Sequence, residues 1–230
     1  MKSGELILFW WFMFGATHMV GSSIPVRTFF IRRFGNLVFK AVYSVVALAT
    51  FIPLCYAYFT HRHAGNLLYN SGYLTNLLAQ FIMLAAFIVL LQGLVTANPM
   101  TTMAELTGRV VRSGRGIQRV TRHPQNFAFA LFGLAHLLAN PYVGDWIFFG
   151  GFILYGIASA IHQDRRLRAT GPAQAKQFIA DTSAIPFAAI ISGRQRLAPG
   201  EYHPPALAAA IVLFILMRLL HPLLFGGFGS

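Results

Sequence analysis

Two histidines in apolar stretches of this 230-residue chain have types and spacing that suit metal ligation. His18 lies in the segment GATHMV and His136 in GLAHLL, and each follows a glycine by three residues, Gly15 and Gly133. Three residues is close to one helical turn, and a long helical side chain leans back over that position. The pattern therefore predicts space beside each imidazole, either for the edge of a flat ligand or for the close approach of another helix.

The surroundings of these histidines restrict the kind of metal centre. Neither histidine has a carboxylate or thiolate close by in the sequence, and a structural zinc ion usually needs four protein ligands. The iron of a b-type haem needs only one or two axial protein ligands. Cys55 is the single cysteine, which excludes an intramolecular disulfide and a CxxCH covalent-haem site. These residues therefore favour haem b over zinc as a group that His18 and His136 could bind.

The composition shows what must position these residues. The chain is 56% hydrophobic and 10% charged, with a mean hydropathy of +0.60, whereas soluble domains carry about 25% charged residues. Crossing a hydrocarbon core of about 30 Å takes roughly 20 apolar residues. We predict an all-α integral membrane protein, a single transmembrane domain over residues 1–230 with a short fourth span. The six predicted spans lie near residues 5–22, 41–60, 74–96, 125–139, 144–162 and 206–224.

The basic residues alternate between the two sides of this arrangement. All except Lys2, Arg62 and Arg218 lie between spans one and two, three and four, or five and six. The positive-inside rule produces that distribution when both termini are on the outer side. More basic residues follow the first apolar run than precede it, which favours an uncleaved span over a signal peptide. The net charge of +12 then reflects topology and attraction to anionic lipids, so the lipid bilayer is the expected partner. A nucleic-acid role is not expected, because the basic stretch at 109–122 has no aromatic residues for base stacking.

The predicted spans place the two histidines at similar depths. At 1.5 Å per residue, His18 lies about 20 Å from the outer face and His136 about 15 Å from the inner face. Ionisable groups near mid-membrane are costly and usually functional, although an interhelical hydrogen bond would also explain them. His123 is thirteen residues from His136, about 20 Å along a helix, and cannot share its iron. With Arg27 and Arg122 it would instead hold haem propionates, or lipid phosphates of the inner leaflet.

Several spaced segments resemble the NnrU family of bacterial membrane proteins. The resemblance covers nearly the whole chain. It implies a multi-pass protein of the bacterial inner membrane, linked to nitric oxide and nitrite reductase metabolism in denitrification, with a redox partner or a lipid-soluble substrate. The segments are HMVGSSIPVR at 18–27, FTHRHAGNL at 59–67, TRHPQNFAFALFGLAH at 121–136, HQDRRL at 162–167 and SAIPFAAIISGRQRL at 183–197.

The plant and cyanobacterial relative of that family is 15-cis-zeta-carotene isomerase, a membrane enzyme with haem b. The resemblance implies iron ligation by a histidine of the first span and by one in the segment after Arg-His-Pro, which match His18 and His136. The isomerase has a cysteine three residues before its second ligand, where this chain has Gly133. A thiolate–imidazole exchange is therefore unavailable here. Isomerisation of a carotenoid-like lipid is the enzymatic alternative to redox or gas-ligand chemistry.

Arg-His-Pro before a short span also resembles integral membrane methyltransferases that use S-adenosylmethionine. Those enzymes add an Asn-Pro pair and a later acidic segment, which Asn140-Pro141 and Asp164 match in part. Such an enzyme needs a polar pocket near the inner face, built here from Arg122, His123 and Asp164. The alternative for Asp164 is an ion pair with Arg168, four residues further along a helix. The sequence assigns no role to His162, and Arg218 either extends toward the outer surface or lines a conduction path.

Overall fold

In a computed structural model, the chain folds into helices that form two compact units. The structure describes residues 3–97, 113–171 and 173–226. One unit comprises Met1–Ala79 and Gly133–His162, and the other comprises Gln80–Phe132 and Gln163–Ser230. Each unit thus combines an earlier and a later part of the sequence. The helices are α1 (Ser3–Gly21), α2 (Ile24–Thr60), α3 (Tyr73–Val95), α4 (Pro124–Ala139), α5 (Val143–Thr170), α6 (Ala173–Asp181), α7 (Ala188–Ile191) and α8 (Pro204–Phe225).

Four of these helices are long and apolar enough to cross a membrane. They are α2, α3, α5 and α8, and they correspond to the second, third, fifth and sixth predicted spans. Helix α4 has 16 residues, about 24 Å at 1.5 Å per residue, which is less than a hydrocarbon core of about 30 Å. The structure therefore confirms an all-helical membrane protein with four such helices. Spans at α1 and α4, and outer placement of both termini, stay predictions.

Helix α2 differs from the prediction at its beginning. The sequence predicted an inner loop up to residue 40, but the chain is already helical from Ile24. Proline favours the first turn of a helix because it has no backbone N–H to satisfy there, and Pro25 occupies that turn. Gly35 then interrupts the helix with φ 85° and ψ 162°, a conformation that glycine adopts without a Cβ penalty. Basic residues predicted for the first inner loop are therefore helical. Of the other predicted basic residues, Lys2, Arg109 and Arg112 lie outside the described residues.

Close packing against α5 organises the first unit. The Trp11 ring lies directly over Gly151, and its Nε1 donates a hydrogen bond to the Phe148 carbonyl oxygen at 3.1 Å. On α2, the Tyr58 ring stacks on Phe148 with 4.0 Å between centroids. Aromatic contacts of this kind add to the free energy gained by burial. They fix α1 and α2 against the same helix, which positions the candidate histidine of α1.

The second unit is built around the later part of α5 and α6. Leu167, Ala175, Phe178 and Ile179 form a buried apolar cluster there. The structure differs from the prediction here a second time. The fifth span was predicted to end at residue 162, but α5 continues to Thr170 and α6 follows in the predicted inner loop. Leu167 gains a buried position only if the helix continues past residue 162, and apolar burial favours that continuation.

Candidate functional site

His18 is held in one orientation on α1. Its Nδ1 lies 3.0 Å from the carbonyl oxygen of Phe14, one turn earlier. A carbonyl oxygen only accepts hydrogen bonds, so Nδ1 carries the proton and Nε2 keeps its lone pair. This is the arrangement of most metal-binding histidines, in which a backbone or carboxylate acceptor fixes the second ring nitrogen. The ring is half-buried and lies near Tyr43 and Tyr155, with centroids 5.0 and 5.7 Å away.

Gly15 provides space on the same face of α1. A Cβ atom built there would meet no atom of the described residues within 4 Å. Because the His18 side chain leans back along the helix, this space lies beside the imidazole. This space is compatible with room for a ligand at Gly15, which stays a prediction.

His136 lies in a different environment on α4. Its ring stacks on Phe149 with 4.4 Å between centroids and an interplanar angle of 21°. A Cβ at Gly133 would lie 2.5 Å from the carbonyl oxygen of Phe149, which real Cβ atoms do not tolerate. The direction of a Cβ at Gly133 is thus filled by α5, and binding of a macrocycle edge there stays a prediction. The glycine allows α4 and α5 to approach closely, which was its second interpretation.

The two histidines lie against different parts of α5. His18 is near Tyr155 and His136 is near Phe149, and six residues separate these neighbours by about 9 Å along a helix. Each imidazole therefore has its own aromatic partner on one shared helix. In the residues that the structure describes, no group of three or more His, Cys, Asp or Glu side chains is arranged to hold a metal ion.

The third candidate group, Arg122 and His123, points into the protein. Arg122 is 6% exposed, and its Nε and Nη2 donate to the Asp164 carboxylate at 2.8–3.2 Å. Its Nη1 donates to the carbonyl oxygens of Ile179 and Thr182 at 3.0 and 2.8 Å. His123 is 3% exposed, with Nε2 2.8 Å from Asp164. Both residues therefore complete an internal network, and their role toward haem propionates or lipid phosphates stays a prediction.

The same network shows which residues pair with Asp164. Its partners are Arg122 and His123, where the sequence had offered pairing with Arg168 as an alternative. The three residues expected for an S-adenosylmethionine pocket do come together. They form a buried cluster in which the Arg122 guanidinium and His123 Nε2 both bind the Asp164 carboxylate.

Arg27, the last predicted cofactor-binding residue, lies over an aromatic ring. Its guanidinium carbon is 5.4 Å from the centroid of Phe39, within the range of a cation–π interaction. This contact joins Arg27 to the part of α2 that follows the interruption at Gly35.

Asp145, which sequence reasoning missed, forms a second carboxylate network at the start of α5. It is fully buried, and Tyr58 Oη donates to its Oδ1 at 2.9 Å. His63, with a left-handed φ of 57°, donates from Nδ1 to Oδ2 at 2.9 Å and from its backbone N to Oδ1. The signal in the sequence was an acid directly bordering an uncharged run. This network ties the loop after α2 to α5.

Glu201 is the third acid with a specific partner. Arg119 donates to its two carboxylate oxygens, with Nε–Oε2 and Nη2–Oε1 distances of 2.8 and 2.6 Å, and the Gly116 N–H donates at 2.8 Å. The Arg119 hydrogen bonds, followed by that of Gly116, lower the pKa of Glu201 from 4.5 to about 2. Asp145, Asp164 and Glu201 thus hold separate segments together, and they are three of the chain's six acidic residues. The small number of acidic residues was the sequence feature that could have drawn attention to them.

Comparison with known proteins identifies the family. The family model for NnrU protein matches residues 6–227. The chain is 28% identical to 15-cis-zeta-carotene isomerase, chloroplastic, from Zea mays over 199 residues, covering 83% of this chain and 53% of that protein. The corresponding enzyme of Arabidopsis thaliana is 26% identical over 181 residues, covering 74% and 46%. The chain spans about half the length of the curated relatives it matches. No solved structure gives a significant match. Because the family model covers almost all of its residues, the chain belongs to the NnrU family.

Proposed function

We propose that this protein binds haem b in a bacterial inner membrane, and that His18 and His136 would hold its iron. Its iron would serve redox or gas-ligand chemistry linked to nitric oxide and nitrite metabolism. The observation that carries the proposal is the geometry at His18, where Nδ1 is fixed and Nε2 is available beside the space at Gly15. Bound haem supplies an iron centre whose reactivity depends on its axial ligands and on the polarity around it.

The residues around His18 suit the binding of haem. The Phe14 carbonyl fixes the ring and raises its basicity as a ligand. Phe14 and Tyr155 form aromatic walls 4.1 and 5.7 Å from the ring centroid, which would limit the access of water. His136 would enter as the second ligand from α4, where its ring now rests on Phe149. We therefore expect His18 to be the stronger ligand of the two.

A second candidate function is the isomerisation of a lipid-soluble polyene. The names of the two curated relatives favour it, since both are 15-cis-zeta-carotene isomerases. The apolar, aromatic surroundings of His18 would also suit a polyene better than a polar substrate. One feature argues against this function. The isomerase has a cysteine at the position of Gly133, and Gly133 is packed on the Phe149 carbonyl oxygen. A side chain larger than hydrogen would not fit there without rearrangement of α4 and α5.

The optical spectrum of the purified protein tests haem binding. Protein from haem-replete cells should show a Soret band that His18→Ala removes and His136→Ala shifts or weakens. His203→Ala is the matched control, because His203 is exposed at the start of α8, and it should leave the band unchanged. Colourless wild-type protein, or a band that survives in His18→Ala, would overturn the proposal.

Two assays on the haem-loaded protein distinguish the candidate functions. Nitric oxide should shift the Soret band under the first proposal. Under the second, a cis-polyene supplied in detergent should be converted to its trans isomer, detected by chromatography. Conversion that disappears in His18→Ala would replace the first proposal by the second.

A further inference from the structure

The Asp164–His123 pair has an unused ring nitrogen. Asp164 accepts from His123 Nε2 at 2.8 Å and from Arg122 at the same time. Because this carboxylate is already paired with a guanidinium, Asp164 is the acceptor and Nε2 carries the proton. With its proton on Nε2, the imidazole presents Nδ1 as a hydrogen-bond acceptor. Carboxylate-oriented imidazoles in catalytic sites are prepared to accept a proton in the same way.

This acceptor is buried without a partner. His123 is 3% exposed, and Nδ1 has no hydrogen-bond partner in the part of the chain that the structure describes. The same holds for the amide nitrogen Nδ2 of Asn126, three residues later on α4. His123 immediately precedes α4 and Asn126 lies in its first turn, so an acceptor and a donor without partners belong to the same helix N-terminus. Buried polar groups are usually satisfied by a hydrogen-bond partner.

The chemistry of the two atoms defines what they can bind. A suitable ligand must donate to Nδ1 and accept from Nδ2. Because His123 is 3% exposed, a molecule bound at Nδ1 would be almost fully enclosed by protein, and water is the smallest candidate. Buried waters typically satisfy polar groups of this kind. Arg122 is the other charged side chain in direct contact with Asp164, and it keeps the carboxylate ionised.

We propose that His123 Nδ1 and Asn126 Nδ2 form a binding site for one water or similarly small hydrogen-bonding molecule, and that His123 is its proton acceptor. When the ligand ionises, its O–H bond breaks and the proton moves to Nδ1. The oxygen keeps the electron pair, and Asp164 stabilises the resulting imidazolium. This role is independent of haem binding at His18. It gives the second unit a buried base.

Nitrogen-15 NMR of the full chain, labelled at histidine and held in detergent micelles, tests the proposal. At neutral pH, His123 should carry its proton on Nε2 and show a hydrogen-bonded, unprotonated Nδ1. Asn126→Leu removes the donor and should shift the Nδ1 resonance. Gln125→Leu, at the neighbouring position of α4, is the matched control and should not. A protonated Nδ1 in the wild type, or an Nδ1 resonance unchanged by Asn126→Leu, would overturn the proposal.

A second variant covers the case in which Asn126→Leu does not fold. Asn126→Asp keeps the shape of the side chain but replaces the amide donor by a carboxylate acceptor. Nδ1 should then gain a proton, because a nearby negative charge favours the imidazolium. An Nδ1 that stays unprotonated in Asn126→Asp would show that the two side chains do not share a ligand.

Discussion

The Nδ1–H of His18 donates to the carbonyl oxygen of Phe14 across 3.0 Å. Both residues belong to α1, so the bond forms within one helix and sets the ring orientation before any ligand arrives. It leaves Nε2 as the ring nitrogen that can bind iron. Gly15, between the two in sequence, keeps the adjacent space open. The orientation of the ring and the open space beside it are thus both features of one helix.

Filling that space should weaken haem binding without damaging the fold. In Gly15→Leu, the new side chain would occupy the room beside His18, where a Cβ meets no described atom within 4 Å. We expect haem affinity to fall about tenfold or more, equivalent to about 1.4 kcal/mol, measured by haem titration at the Soret band. Thermal stability of the haem-free protein should be unchanged. Wild-type haem affinity in this variant would contradict the placement of haem beside Gly15.

In contrast to Gly15→Leu, Gly133→Ala should destabilise the fold. Its Cβ would lie 2.5 Å from the Phe149 carbonyl oxygen, so α4 and α5 must separate. Overpacking of this kind usually costs about 1–3 kcal/mol, which thermal unfolding in detergent would report. Gly150→Ala is the control, because a Cβ there meets no described atom within 4 Å, and it should be neutral or slightly stabilising. Equal melting temperatures for the two variants would contradict the close helix contact.

Tyr58→Phe tests the buried Asp145 network. The change removes the hydroxyl that donates to Asp145 Oδ1 at 2.9 Å but keeps the ring stacked on Phe148. A hydrogen bond to a charged group contributes about 1.5–3 kcal/mol, and unfolding should show a loss of that size. Tyr56→Phe is the comparison, since Tyr56 is 71% exposed and should unfold like the wild type. A silent Tyr58→Phe would indicate that Asp145 is satisfied without it.

The Arg119–Glu201 pair should make stability depend on pH in the acidic range. Hydrogen bonds from Arg119 and from the Gly116 N–H lower the pKa of Glu201 from 4.5 to about 2. A lowered carboxyl pKa stabilises the folded state above the unfolded value, and this contribution disappears as the pH falls from about 4.5 to about 2. Because both side chains are partly exposed, we expect at most about 1 kcal/mol.

Glu201→Gln should therefore flatten the fall in melting temperature between pH 6 and pH 3. Arg119→Gln removes the largest cause of the pKa shift and should flatten it similarly. A wild-type pH profile in both variants would show that this pair does not contribute to acid stability.

Much of the fold could be predicted from local patterns. Long uncharged runs predicted helices that the structure contains, because an isolated apolar segment must satisfy its own backbone hydrogen bonds within a membrane. The prediction was wrong where non-local packing decided the boundary. The residues near Leu167 were predicted to form an inner loop. Helix α5 continues through them because Leu167 packs against Phe178 and Ile179.

For the candidate site, the sequence by itself determined that His18 and Gly15 share one turn, and His136 and Gly133 another, since helical spacing is a local property. Only the tertiary structure decided that one glycine borders open space and the other touches the Phe149 carbonyl oxygen. Tertiary structure also turned Arg122 inward to Asp164, 42 residues away. Helical periodicity fixes the face on which a side chain lies, but what covers that face depends on segments far away in the chain.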